Sequence, residues 1–425
     1  MRARLDYGTS GLDVELPDTG VTVIEPVFRP AAADVHGALL HALRHPIDSP
    51  PLRAVVKSGQ RVVISVCDIT RAQPRRETLR AIFEELPQLR RADVTIMIAT
   101  GTHRISTDAE LEQMLGRDIV GSCRVLNHDS RDKASLEHVG RTATGVDAWL
   151  NREWLAADVR LTTGFVEPHF FAGFSGGPKM VAPGLAGLDT VLTLHDSARI
   201  ADPRATWGIT EGNPIHDDVR AIAAMVPPHF SIDVALNRDQ QITAVFAGNL
   251  FAEHKAACAH VKATAMRAVP EPFDVVVTTN SGYPLDQNLY QAVKGMSAAA
   301  QIVKTGGVIV CAAECRDGLP SHGSYGEVLA SQPNPGALLD MIRTPGRPTR
   351  PDQWQVQVQA QVQLKAAVHV KTSGLTHDQV RAAHFTPIDD VAGTVRQVLA
   401  RAGAGATLCV LPQGPQTIPY VDSRA

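Results

Sequence analysis

Residues 167–179 read Glu167-Pro-His-Phe-Phe-Ala-Gly-Phe-Ser-Gly-Gly-Pro-Lys179, and His195 follows shortly after. The segment brings together an imidazole, a glycine-rich bend and a primary amine, with a second imidazole nearby. Glycine turns let a backbone approach a ligand closely. A lysine amine can bond covalently to a cofactor or substrate, and histidines carry protons or bind metals near neutral pH. Together these residue types point to a tethered, metal-bearing cofactor with an acid/base group beside it.

Simpler chemistries leave residues unused. A phosphate loop ends in Gly-Lys-Ser/Thr, whose hydroxyl binds magnesium; here the residues are Pro178-Lys179-Met180. Glu167, His169 and His195 can supply zinc ligands, yet no His-Glu-x-x-His pattern occurs. Lys179 can also serve a Schiff-base enzyme. Neither the zinc nor the Schiff-base reading accounts for Asp68-Ile-Thr-Arg71, Gly101-Thr-His103 or Gln291-x-x-Lys294.

The elements that must carry these groups read as strands alternating with helices. Residues 61–67 form an apolar, β-branched run that stops at Asp68-Ile-Thr-Arg71, with a helix expected over about 75–86. A second run, 93–99, stops at Thr100-Gly-Thr-His-Arg104, and Thr107-Asp-Ala-Glu110 then reads as a capping box opening a helix. A third, 159–166, stops at Glu167-Pro-His169. Such runs indicate a parallel sheet covered on both faces, and in open α/β sheets ligands bind beyond the carboxyl ends of the strands.

Pro270 and Pro272 mark a linker at 268–273, after which strand 274–279, a helix over about 287–303 and strand 307–311 open a second domain. In that helix Leu289, Ala292, Val293 and Met296 share one face. Tyr290, Gln291 and Lys294 fall roughly opposite, on the side suited to the wall of a cleft. The expected fold class is therefore α/β: two α/β domains with largely parallel sheets and the active site in the interdomain cleft. Residues 1–268 form the cofactor-binding and catalytic domain, and 269–425 contribute substrate-binding residues. Residues 353–365 alternate polar and apolar types and suit a lone edge strand or an amphipathic surface segment. The basic run 71–80 suits a solvated helix face, and 406–412 a final strand.

Bulk properties narrow the function classes. The chain has 425 residues, 44% hydrophobic and 20% charged, as in an ordinary soluble globular protein. A net charge of −3 gives no bulk drive toward nucleic acid or an anionic membrane. No run approaches the roughly 18 apolar residues of a membrane span, and the N-terminus has no signal-peptide core. Cys67, Cys123, Cys258, Cys311, Cys315 and Cys409 are scattered, unlike a disulfide framework. A reducing, cytoplasmic setting is expected.

Taken in order, Asp68-Ile-Thr-Arg71, Gly101-Thr-His-Arg104, Glu167-Pro-His169, Phe174-Ser-Gly-Gly-x-Lys179, Pro183-Gly184, His195 and Tyr290-Gln-x-x-Lys294 resemble the nickel-dependent lactate racemase family. These are the nickel-pincer-nucleotide 2-hydroxyacid racemases and epimerases. The resemblance spans the whole chain and implies inversion at C2 of a small-molecule 2-hydroxyacid by proton-coupled hydride transfer. It implies that Lys179 binds a pyridinium-3,5-bisthiocarboxylate mononucleotide covalently and that His195 is the protein's nickel ligand. Asp68, Ile69, Thr70, Arg71, Lys179 and Pro183 would hold the nucleotide. His103 and His169 would be the paired proton donors and acceptors, and Arg71, Tyr290, Gln291 and Lys294 would bind substrate. Cofactor-biosynthesis proteins are implied as partners. Pro178 and Met180 depart from the small or polar neighbours expected beside the anchoring lysine. A non-catalytic carrier of nickel or cofactor is the alternative reading.

Overall fold

The three apolar runs become adjacent strands of one six-stranded sheet. Its order is Ile242–Gly248, Phe230–Leu236, Val159–Phe165, Val62–Cys67, Val94–Ala99 and Arg124–Asn127. The first pair is antiparallel and every other pair parallel. Val62–Cys67 is buried at every position, as expected of a strand covered on both faces. Because Val159–Phe165, Val62–Cys67 and Val94–Ala99 run parallel side by side, the loops after them leave from one edge of the sheet. Helix Arg75–Glu85 follows the first strand, and the capping box of Thr107 and Glu110 opens helix Asp108–Leu115.

A second six-stranded sheet has the order Thr386–Ile388, Ala367–Lys371, Val303–Ala312, Phe273–Thr279, Leu408–Leu411 and Val21–Val23. Every pairing in it is parallel. Helix Leu289–Ala300 packs on it through buried Leu289, Ala292, Val293 and Met296, leaving Tyr290, Gln291 and Lys294 half-buried on its other side.

This computed structural model describes residues 1–27, 29–320 and 323–424. The chain divides into two units: Phe28–His195 with Asp202–Lys262, and Ala263–Ala425 with Met1–Val27 and Asp196–Ala201. Division at 268 thus leaves out residues 1–27, which join the C-terminal sheet. Val21–Val23 extends that sheet beside Leu408–Leu411, and hairpin strands Arg2–Leu5 and Leu12–Glu15 bury Leu5 and Val14 in the same core.

Other expectations give way to packing. Residues 353–365 are neither edge strand nor surface: Gln353–Lys365 is an α-helix buried at most of its positions. On a helix an alternating pattern spreads apolar side chains around the axis instead of onto one face, so only burial on all sides uses it. Arg75, in the supposedly solvated basic run, is also buried. The proline linker begins as strand Met266–Val269, paired with Ile418–Val421, so 406–412 does not hold the last strand. All six cysteines are free and buried, Cys311 within Val303–Ala312. Among the described residues no helix is long and apolar enough to cross a membrane.

Candidate active site

Asp68 ends its strand buried, with its carboxylate as a hub. Its Oδ2 meets His103 Nδ1 at 2.6 Å, and its Oδ1 accepts from the Thr70 hydroxyl at 2.7 Å and the Thr70 N–H at 3.1 Å. Burial opposes ionisation here, but His103, Thr70 and Arg71 outweigh it and hold the carboxyl below the usual carboxylate range. A carboxylate on Nδ1 places the His103 proton there and leaves Nε2 as the basic nitrogen. The His103 side chain is 44% exposed, so that nitrogen is open to a ligand.

Arg75 explains how loop 68–71 keeps its shape. Its guanidinium donates to the carbonyls of Cys67 at 2.8 Å, Gln73 at 3.1 Å and Arg71 at 2.8 Å, and also to that of Asp68. Arg71 itself remains exposed, and Ile69 packs on the core of the first sheet. The His103 loop is tied to the lysine segment by Gly101 N–H donating to the Gly184 carbonyl at 3.0 Å.

Lys179 sits in the 3-10 turn Gly177–Met180, with Gly176 and Gly177 at φ 71° and 50°. A Cβ on Gly177 would lie 2.3 Å from the His254 ring, and one on Gly176 2.8 Å from the Asp233 carboxylate. Left-handed backbone and lack of room together require glycine. Pro178 and Met180, the departures noted above, are both buried, and Met180 contributes to the sheet's core.

The stretch 171–177 is anchored from beneath. Asn213 Nδ2 donates to the Phe171 carbonyl at 2.9 Å, His216 Nδ1 lies 3.1 Å from that of Ala172 and His254 Nε2 2.9 Å from that of Ser175. Asp233 accepts from Gly177 N–H at 2.6 Å. Burial drives His254 down to about 4 and, with the neighbouring His254, His216 down to about 2, so both stay neutral. Burial pushes Asp233 up to about 7, and burial together with Asp233 raises Glu253.

His195 caps helix Leu188–Leu194, its Nδ1 2.7 Å from the Val191 carbonyl. Nδ1 is therefore the protonated nitrogen and Nε2 carries the lone pair. Burial, reinforced by the charge of Lys179, lowers its pKa to about 4. His169 has the opposite tautomer: its Nδ1 accepts from Ala172 N–H at 3.3 Å and Phe171 N–H at 3.5 Å, which puts its proton on Nε2. The Phe171 ring meets His169 edge-on at 4.5 Å and His195 edge-on at 5.1 Å, so one phenyl ring spaces the two imidazoles.

His195 thus offers a neutral nitrogen donor near an amine. Among the described residues no group of three or more His, Cys, Asp and Glu side chains is arranged to hold a metal. A zinc site built from protein alone needs three or four such ligands. A single imidazole near Lys179 fits instead a metal whose other donors arrive on a ligand fixed at the lysine. In the other unit Tyr290 and Lys294 lie in the first turns of their helix, and Asn288 caps it through the Gln291 N–H at 3.0 Å.

Residues 7–208 match the lactate racemase N-terminal domain and 269–418 the lactate racemase C-terminal domain. A lactate racemase from Thermoanaerobacterium thermosaccharolyticum is 34% identical over 422 residues, covering 97% of this chain and 98% of the relative. The chain belongs to the lactate racemase family. A lactate racemase from Lactiplantibacillus plantarum is 36% identical over 376 residues, 88% of each chain. The solved lactate racemase apoprotein from Thermoanaerobacterium thermosaccharolyticum superposes with a TM-score of 0.91 at 33% identity, covering 99% of this chain and 100% of that one. The family motifs hold the residues assigned to the site from the sequence, whereas Arg75, Phe171, Asn213, His216, Asp233 and His254 carry no motif. Their signal is a polar or aromatic side chain among apolar neighbours, which ordinary core packing also produces.

Proposed function

We propose that this chain is an isomerase that racemises a small 2-hydroxyacid, using a nickel pincer nucleotide bound covalently through Lys179. The observation that carries the reading is the coexistence of a neutral imidazole, His195, near Lys179 with two further imidazoles, His103 and His169, in opposite tautomers. When bound, the cofactor supplies an electron-poor ring carbon able to accept and return hydride, chemistry that side chains lack.

The chain's own groups do the rest. His195 Nε2 is the nickel ligand, and imidazole is a common nickel donor. Asp68, Ile69, Thr70, Arg71, Lys179 and Pro183 hold the nucleotide. Arg71 pairs with the substrate carboxylate through its planar fork, and Tyr290, Gln291 and Lys294 bind the remaining oxygens. His103 Nε2 takes the hydroxyl proton, and the Asp68 carboxylate steadies the imidazolium that forms. For the other enantiomer His169 would act from its protonated form, giving a proton to the substrate oxygen and ending neutral. Two imidazoles are needed because the hydroxyl oxygen occupies different positions in the two enantiomers. Six reduced cysteines suit a cytoplasmic site of action, where cofactor-biosynthesis proteins supply the nucleotide.

The test is expression alongside those biosynthetic proteins, followed by intact mass, nickel analysis and chiral chromatography of 2-hydroxyacids in deuterated buffer. The expected result is a mass adduct lost in Lys179→Ala, bound nickel, and inversion that keeps the substrate's own Cα hydrogen. Solvent deuterium at Cα would overturn hydride transfer. Nickel and adduct without inversion of any 2-hydroxyacid would favour a carrier.

A further inference from the structure

The buried helix Gln353–Lys365 carries an arrangement that the roles above leave unexplained. Gln355, Gln357 and Gln359 are each at most 1% exposed. Gln355, Gln359 and Gln363 recur at i, i+4 and share one stripe, while Gln357 lies on another side of the helix. Gln355 Nε2 donates to the Tyr290 carbonyl at 2.5 Å, in the first turn of Leu289–Ala300. Gln357 Nε2 donates to the Ser197 carbonyl at 2.8 Å, in the segment that leads out of His195. A second tie reaches Tyr290: its ring meets Tyr325 edge-on at 5.3 Å, and the Tyr325 hydroxyl donates to Gln359 Oε1 at 2.5 Å.

A buried amide is costly unless both its ends are bonded. Gln359 uses both, its Nε2 donating to the Ala383 carbonyl at 2.9 Å. The Oε1 atoms of Gln355 and Gln357 are buried with no hydrogen-bond partner among the described residues. An apolar side chain would fill either position without that cost, as Val356, Val358 and Val362 do along the same helix. What each amide contributes is therefore its N–H grip on one backbone carbonyl.

We propose that Gln355 and Gln357 are positioning residues, one fixing the helix that carries Tyr290, Gln291 and Lys294, the other fixing the chain immediately after His195. The proposal rests on the substrate and nickel roles assigned above. Neither glutamine touches a reacting atom; Gln355 sets the backbone from which Tyr290 projects, and Gln357 the chain two residues beyond His195.

The test uses the near-isosteric substitutions Gln355→Met and Gln357→Met in the full-length chain. Gln363→Met is the control, since Gln363 donates to the Ala383 and His384 carbonyls and to neither functional segment. Without cofactor, amide exchange at 289–294 should quicken in Gln355→Met and at 196–201 in Gln357→Met, with neither change in the control. With cofactor, Gln355→Met should raise KM about tenfold at unchanged nickel content. Gln357→Met should lose nickel on dialysis about tenfold faster at unchanged KM, the scale of losing a partner that orients a metal ligand. Exchange like the control's, or raised evenly across the C-terminal unit, would overturn the proposal. Local exchange changes as expected in a wild type that binds no nickel would uphold the clamp and sink the functional reading instead.

Discussion

Stretch 171–177, which joins His169 to Lys179 in the N-terminal unit, and the first turns of Leu289–Ala300 in the C-terminal unit are both segments on which the proposed function relies, but they are held differently. A loop supplies few of its own backbone bonds, so its N–H and C=O groups must be met by side chains. Here those are Asn213, His216, His254 and Asp233, mostly ionisable groups held neutral or nearly so by burial. A helix satisfies most of its own backbone, and neutral groups locate its start: Asn288 at the cap, the Gln355 amide on the Tyr290 carbonyl and the Tyr325 ring against that of Tyr290. The loop's precision is thus exposed to pH, and the helix's is not.

The comparison is most severely tested at the loop's functional tip. Lys179→Ala should abolish the mass adduct and cost about 10^4-fold or more in turnover, while the melting temperature of the cofactor-free chain stays near wild type. His103→Ala and His169→Ala should each cost about 10^2- to 10^4-fold in kcat with nickel content intact. Asp68→Asn keeps the volume but gives up the charge that orients His103, so kcat should fall about 10- to 100-fold without loss of cofactor.

Stability changes are smaller. Asn213→Ala leaves the buried Phe171 carbonyl and the half-buried Ile209 carbonyl without its amide and should cost about 1–3 kcal/mol in urea unfolding. The pH dependence is smaller again. The folded pKa of Asp233, about 7, lies above the ordinary value of about 3.9. The folded state therefore holds the extra proton, and this group's contribution falls as pH rises through that window. Glu253→Gln, which replaces a carboxyl that burial and Asp233 keep protonated in the fold with a side chain that cannot ionise when unfolded, should raise the melting temperature at pH 8 by a few degrees and leave it nearly unchanged at pH 5. If the effect is instead equal at both pH values, the loop's anchors are not the pH-sensitive region.

The strands ending at Asp68, Thr100 and Glu167 were legible because parallel strands covered on both faces are written as unbroken apolar runs. The helix face of Tyr290, Gln291 and Lys294 was legible because one side of a helix repeats at a fixed spacing. Helix Gln353–Lys365 was not, since its alternating pattern has the period of a strand and only three-dimensional burial selects the helix. Nor was the Asp233–Glu253 pair, whose partners lie far apart in sequence and meet only once strand Phe230–Leu236 and helix Leu250–Ala265 have packed. Arg75 was hidden for the opposite reason: it sits among exposed arginines and differs only in where its guanidinium ends.

Strand Val21–Val23 completes the sheet edge beside Leu408–Leu411. On the ribosome its sequence emerges long before that partner exists. The nascent N-terminal arm must therefore wait, unpaired, while residues 28–262 become able to assemble their own sheet. Closure of the C-terminal unit therefore cannot come before residues 408–411 have been made. Deleting residues 1–27 would leave the backbone of Leu408–Leu411 open along one side, and such a bare edge invites pairing with other chains. The shortened protein should collect in aggregates even though every residue assigned to catalysis is still present.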